Sequence, residues 1–378
     1  MALSRQPAAR RIQSDVLGIV RQNAVPLLFL ALGLAGVLAT GMNPYFLANE
    51  TINRLARNSF LVLSLLIPVT AGLGLNFGIV LGAMAGQAAL IAVTHWRIPG
   101  LSGLGLALAL CTPLAVGLGW FAGMILNRAK GREMITSMIL GFFMNGVYQL
   151  VFLFLVGTAI PMRNPAMLLT QGVGLRNTQD LELIRWSLDR LVYWRVSGFS
   201  FPVLTLLAGA ALCAVLMFLA RTKLGQDFRA VGQDMHVAEV AGINVDRTRI
   251  IAVIISTTLA AWGQVIFLQN IGTLNTYNSH EQVGMFAIAA LLVGGATVAR
   301  ATVANALVGT FLFHLLFIVS PFAGQRLLGQ PQVGEYFRVF VAYGVIAVAL
   351  GLHAWQKRQQ VLRALARDKL AAAEVSGD

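Results

Sequence analysis

The stretch GQDFRAVGQDMHVAEVAGINVDR, from Gly225 to Arg247, lies between two strongly apolar runs and carries Asp227, Arg229, Asp234, His236, Glu239, Asp246 and Arg247. Charge is scarce elsewhere: of 378 residues, 57% are hydrophobic and 11% charged. A soluble globular protein carries roughly 25% charged residues. Mean hydropathy is +0.74. A polar island in such a chain is a segment in water between two segments in lipid. The fold class that follows is an all-α polytopic membrane protein, because helices satisfy their own backbone hydrogen bonds in hydrocarbon.

The apolar runs on either side extend this reading. A spanning helix needs about 20 apolar residues. Spans are predicted at about 24–42, 101–126, 134–157, 200–220, 248–272, 283–299, 301–320 and 335–356. The block at about 60–93 would reach about 50 Å as one helix. It is read as two short or broken helices, interrupted at GLGLNFG, Gly72 to Gly78. The total is about ten. The block 283–320 folds back on itself at ATVARATV, around Arg300.

The net charge is +13. Lys and Arg collect in the cytoplasmic loops of membrane proteins, and no basic patch is interleaved with exposed aromatics, so nucleic acid is not an expected partner. With the N-terminus inside, most of the 28 Lys and Arg fall on the cytoplasmic side: Arg5, Arg10, Arg11 and Arg21, then Arg128, Lys130 and Arg132, the Gly225–Arg247 neighbourhood, Arg300, and the tail from Lys357. Both termini are expected in the cytoplasm. The chain divides into an N-terminal segment 1–23, a membrane domain 24–356 and a tail 357–378. The membrane domain holds an outer loop, 158–199, and a cytoplasmic loop, 221–247. Cys111 and Cys213 sit in apolar runs and read as small core residues.

The outer loop contains DLELIRWSLDRLVYW, Asp180 to Trp194. Leu181, Ile184, Leu188, Leu191 and Val192 share one helical face, and Trp186, Tyr193 and Trp194 favour the headgroup zone. An interfacial helix on the outer surface is predicted, either as structural packing or as a lid or docking element. In the cytoplasmic loop, Asp234 is a suitable N-cap, MHVAEVA makes about two turns and Gly242 is a suitable stop. Asp246 is placed to cap the next span. Connections usually run to a few residues, so a short helix capped at both ends is either a docking element or a plain interfacial helix.

The stretch AVGQDMHVAEVAGINVDRTRIIAVIISTTLAAWGQVI resembles the coupling region of ABC-transporter permeases that import simple sugars, nucleosides and branched-chain amino acids. The matching positions are Arg229, Ala230, Val231, Gly232, Asp234, Ala238, Gly242, Ile243, Asn244, Ala260, Ala261 and Gly263. Glu239 stands where Ala is common, and Trp262 interrupts the small-residue run. NFGIVLGAMAGQAAL looks like the family's broken helix, and AIAALLVGGATVARATVANALVGTFL like its late double crossing. The resemblance implies a type II importer-like permease. Its partners would be ABC ATPase subunits, a second permease subunit (the same chain or another), an extracytoplasmic solute-binding protein and membrane lipid, in a bacterial or archaeal plasma membrane. Residues implied in ATPase coupling are Arg229, Gly232, Gln233, Asp234, His236, Ala238, Glu239 and Gly242. No GxxxxGK[ST] loop occurs in the chain, so ATP and Mg belong to the partner ATPase and no cofactor is expected here.

Polar residues within spans face a cavity or a neighbouring helix. The candidates for the substrate pathway are Asn76, Gln87, Asn145, Tyr148, Gln149, Gln264 and Asn270, with Gln269 and Asn275 beside them. Each can equally serve an interhelical hydrogen bond. Asn145 and Gln149 share a helix face, and such neutral amides suit a neutral, hydroxyl-rich ligand. His280 and Glu281 are placed at an outer helix end within reach of water, in TYNSHEQVG, a re-entrant rim or a plain loop. His314 stands alone in a span. No Asp or Glu is expected deep in a span, which disfavours the alternative of an ion-coupled secondary transporter. No catalytic or metal residues are expected, since paired Asp, Ser-His and HExxH arrangements are missing. KGREMITSMILGFFMNGVYQL resembles nucleoside-type members and AIAALLVGGATV sugar-type members. Simple sugars rank first as substrate, nucleosides second and branched-chain amino acids third.

Overall fold

The structure, a computed structural model, describes residues 23–162, 164–196 and 199–375. Arg5, Arg10, Arg11 and Arg21, expected on the cytoplasmic side, lie outside the described residues. The chain begins with α1 (Ala24–Thr40), α2 (Pro44–Ser64), α3 (Leu66–Thr70), α4 (Ile79–Trp96), α5 (Gly100–Arg128) and α6 (Glu133–Leu150), the last extended by a π-turn over Val151–Leu155. Turns and three short strands follow: β1 (Thr178–Asp180), β2 (Tyr193–Val196) and β3 (Phe199–Pro202). Next come α7 (Val203–Leu219), α8 (Lys223–Gln233), α9 (Met235–Val240), α10 (Val245–Ile271), β4 (Thr273–Asn275), α11 (Ser279–Val293), α12 (Val303–Leu328) and α13 (Pro331–Val375).

The protein is an all-α polytopic membrane protein. Among the described residues, 7 helices are long and apolar enough to cross a membrane, or 8 if α7 and α8, bent by 74°, count as one span. About ten is reached only by adding α1 and α11, which are apolar but have 17 and 15 residues. A helix as short as α11 covers about 22 Å of a hydrocarbon core of roughly 30 Å. It is a partial crossing, and what precedes it must enter the bundle.

The span predicted from about residue 60 already begins at Pro44. Glu50, Asn53, Arg54, Arg57 and Asn58 lower its hydropathy, yet the helix uses them internally. Arg54 Nε donates to Glu50 Oε1 at 2.8 Å, and Asn58 Nδ2 donates to the Arg54 carbonyl at 2.8 Å. Asn43 caps its start by accepting from the Tyr45 N–H. The break falls where expected, between α3 and α4. Gly72 and Gly74 take φ of +75° and +70° there, a region that glycine enters without a Cβ clash. Asn76 Oδ1 accepts from the Gly78 N–H at 2.9 Å, and Ser137 Oγ on α6 accepts from the Phe77 N–H at 3.2 Å.

Helix α10 is the centre of the packing. A Cβ on Gly82 or Gly86 of α4 would stand 2.2 or 2.5 Å from the carbonyl oxygens of Thr257 and Ala261. On α5, a Cβ on Gly119 or Gly123 would stand 2.9 or 3.1 Å from the Cα atoms of Ile254 and Ile250. Glycines four apart let backbones touch, which is how helices associate where lipid removes the hydrophobic drive.

The two ends of α10 define the two ends of the bundle. Its first turn adjoins α8 and α9. Its last turn adjoins the 164–196 segment, where the Leu181 N–H donates to the Gly272 carbonyl at 3.0 Å. The helix predicted over 180–194 does not form. Turns run from 182 to 191, Trp186 has φ +56°, and Leu181 and Ile184 are fully buried within the protein. The cause is tertiary. Strand β1 pairs antiparallel with β4 through Thr178–Asn275, Gln179–Leu274 and Asp180–Thr273. Asp189 then turns inward to accept from Thr205 Oγ1 at 2.6 Å and Asn270 Nδ2 at 2.9 Å.

Candidate functional site

Four predicted pathway residues meet in one polar chain between α4, α6 and α11, in which Gln87 and Tyr148 are buried and Asn145 and Gln149 half-buried. Gln149 Nε2 lies 3.5 Å from Asn145 Oδ1, which is 2.8 Å from His280 Nε2. His280 Nδ1 lies 3.3 Å from Gln87 Oε1. Gln87 Nε2 donates to the carbonyls of Asn275 at 3.0 Å and Thr276 at 2.6 Å. The Tyr148 ring packs on the His280 ring with centroids 4.7 Å apart. The expectation that water reaches His280 is overturned, because its side chain is fully buried. The short α11 explains this. Within TYNSHEQVG, Thr276, His280, Val283 and Gly284 point into the bundle, while Asn278 and Gln282 are exposed.

The chain has one proton too few when His280 is neutral. Gln87 and Asn145 both turn their oxygens to the imidazole: Gln87 Nε2 is committed to two carbonyls, and Asn145 Nδ2 to Glu281 Oε2 at 3.4 Å. A neutral imidazole donates at one nitrogen only. The Tyr148 hydroxyl has no protein partner. The cavity beside Asn145 and Glu281, walled by Phe77, Phe142 and Met285, is about 40 Å³. It has room for a few waters at most.

The remaining pathway candidates lie elsewhere. Asn76 is buried and caps the break. Gln264 and Gln269 are fully buried on α10, and neither side chain has a protein partner. Asn270 belongs to the outer end. His314 is buried against the rings of Phe313 and Phe317, with Nδ1 unpartnered. Glu50 and Glu133 lie at helix ends, each paired with an arginine.

At the other end, α9 is stopped on both sides. Asp234 Oδ1 accepts from the N–H groups of His236 and Val237 at 2.8 and 3.0 Å. Gly242 takes φ +83°, and the Ile243 N–H returns to the Ala238 carbonyl at 3.0 Å. Asp246 does not cap α10. Asn244 does, through the Arg247 N–H, while Asp246 pairs with Lys130 Nζ at 2.6 Å. Arg229, Gly232, Gln233, Asp234, His236, Glu239 and Gly242 are exposed. Ala238 is not: it packs with Val231 and Val245 in a small core that fixes α9 to α8 and α10. Val237 and Val240 are apolar and exposed at 63% and 78%. Their place on the outer face of α9 depends on which side the small core takes.

Two contacts tie α8 and α9 to the bundle. A Cβ on Gly232 would stand 2.1 Å from the Thr70 carbonyl, beside Gly72 at the break. Arg249, 1% exposed, bonds Glu133 Oε1 on α6 at 2.5 Å through Nη2 and Met235 Sδ on α9 at 2.8 Å through Nη1. Gly232 thus joins α8 to the break, and Arg249 joins α9 to the helix that carries Asn145.

Comparison with known proteins follows the same lines. The autoinducer 2 import system permease protein LsrC of Enterobacter sp. (strain 638) is 28% identical over 288 residues, 75% of this chain and 74% of that protein. The xylose transport system permease protein XylH of Haemophilus influenzae is 28% identical over 165 residues, 43% of this chain and 41% of its own. The high-affinity branched-chain amino acid transport system permease protein LivH of Salmonella typhimurium is 29% identical over 140 residues, 32% of this chain and 45% of its own. No solved structure matches. The family model for the branched-chain amino acid transport system permease component matches residues 47–350, from the polar start of α2 to the middle of α13. The chain belongs to this family of ABC-transporter permeases.

Proposed function

We propose that this chain lines the translocation pathway of an ATP-driven importer of a small, hydroxyl-rich solute, with simple sugars first and nucleosides second. The observation that carries the reading is the packing of Gly232 on Thr70 and Gly72, which sets α8, the helix leading directly into the capped and exposed α9, against the break of a span. A separate P-loop ATPase, holding ATP and Mg, pushes on α9. The stiff element passes the displacement to the break, and through Arg249 and Glu133 to α6. This places the 221–247 segment and both termini in the cytoplasm and the outer segment where a solute-binding protein delivers its ligand. A second permease subunit completes the pathway.

The solute class rests on the polar chain. A hydroxyl donates and accepts at once, so it can bridge His280 Nδ1 and Gln87 Oε1 or meet the Tyr148 hydroxyl. The relatives named for xylose, galactose and autoinducer 2 import point the same way. The test is purification from the native membrane in mild detergent, with co-purifying proteins identified by mass, alongside ATP-dependent uptake of xylose, uridine and leucine in vesicles. A P-loop ATPase should co-purify and be lost when 234–242 is scrambled. An intact chain without an ATPase, under conditions that hold a known transporter together, overturns the coupling role. Uptake of leucine alone overturns the solute class.

A further inference from the structure

The outer end holds a second site. A cavity of about 710 Å³ lies between α2, the last turn of α10 and the 185–190 turn, and its charged and amide groups come from Glu50, Arg57, Arg185, Asp189, Arg190 and Asn270. Sites for small molecules run from about 300 to 1,000 Å³. Its floor is a chain of fixed groups. Thr205 Oγ1 and Asn270 Nδ2 donate to the two oxygens of Asp189, at 2.6 and 2.9 Å. Asn270 Oδ1 accepts from Arg57 Nη1 at 3.2 Å, and the Asn270 carbonyl accepts from Trp186 Nε1 at 2.7 Å. Arg57 is thereby aimed rather than free to swing.

The charges do not cancel inside this space. Asp189 is 4% exposed and both its oxygens are engaged by neutral donors. Glu50 is engaged by Arg54 Nε at 2.8 Å, with Arg57 Nη2 at 3.9 Å. The Arg185 guanidinium lies 4.5 Å over the Trp186 ring. Among the described residues neither Arg185 nor Arg190 pairs with a carboxylate, and Arg57 Nε has no partner. Three guanidinium groups therefore face a cavity whose two carboxylates are already occupied. The planar guanidinium fork matches carboxylate and phosphate oxygens.

We propose that the outer cavity is an anion-recognition site that takes the carboxylate or phosphate group of a small solute before it enters the bundle. Passage into the bundle rests on the importer reading; binding requires only this chain, so either can fail without the other.

The test uses the full chain in phosphatidylcholine nanodiscs, titrated with sodium phosphate or sodium acetate against sodium chloride at equal ionic strength. The readouts are Trp186 fluorescence, isolated by comparison with Trp186→Phe, and the unfolding temperature. One or both anions should give a saturable response. Arg57→Gln and Arg190→Gln should weaken it about tenfold or more, the scale of one lost charged hydrogen bond. Arg300→Gln, at the opposite end, should leave it unchanged. If Arg57→Gln fails to fold, the exposed Arg190 decides. Responses no larger than with chloride, or unchanged in Arg190→Gln, overturn the proposal. A response to phosphatidylglycerol in the disc with none to either soluble anion assigns the site to lipid headgroups and overturns the solute reading.

Discussion

At one end of the bundle Arg249 is buried on Glu133 at 2.5 Å and Gly232 lies backbone to backbone on the break. At the other, Asp189 is held by Thr205 and Asn270 while Arg185 and Arg190 face open space. The first end has its buried charges paired and its backbones in contact, which makes it stiff. The second keeps cations without carboxylate partners on a fixed floor. The contrast is the one expected if the first end transmits displacement and the second meets a ligand, as proposed above.

The sharpest way to break this contrast is Arg249→Met. It strands Glu133 in a buried position and should cost about 3–5 kcal/mol, whereas Arg249→Met with Glu133→Leu should be close to neutral. Unfolding in one detergent measures both, and equal stabilities of the single and double variants would remove the pair from the account. Next is Gly232→Val, whose Cβ meets the Thr70 carbonyl. It should cost about 2–3 kcal/mol and reduce solute uptake more than ATP hydrolysis; equal loss of both would deny a coupling role. At the outer end, Asp189→Ala removes the acceptor for two donors and should cost about 1–2 kcal/mol. The loss should leave ATPase co-purification untouched. Asp234→Ala should cost about 1 kcal/mol through the lost cap, seen as faster hydrogen exchange confined to 235–241. Lys130→Gln breaks an exposed pair with Asp246 and should cost less than about 1 kcal/mol. That difference should vanish in high salt.

Legibility followed the range of the interaction. Asp234 and Gly242 were readable because a cap and a left-handed stop act within four residues. The break at Gly72–Gly78 was readable because a run too long for one crossing must be interrupted. The start of α2 was not, since Glu50, Arg54 and Asn58 look like a loop until their one-turn hydrogen bonds are seen. Asp246 and Asn244, two residues apart, both have side chains that can cap; Asn244 caps α10 while Asp246 is bonded to Lys130. Among the pathway residues, Asn145 and Gln149 share a face by spacing alone, but nothing in the spacing brings His280 to them.

The sequence by itself determined the membrane class, the broken span and the capped helix, because composition and backbone preference act locally. Only the tertiary structure decided that 182–191 folds into turns instead of a helix, and that His280, Gln87 and Asn145 form one hydrogen-bonded chain. Gln87 and Thr276 are bonded across 189 residues of sequence. Such a pair is selected by which helices pack against α10 and by how far the short α11 reaches into the bundle, and neither is a property of any local stretch.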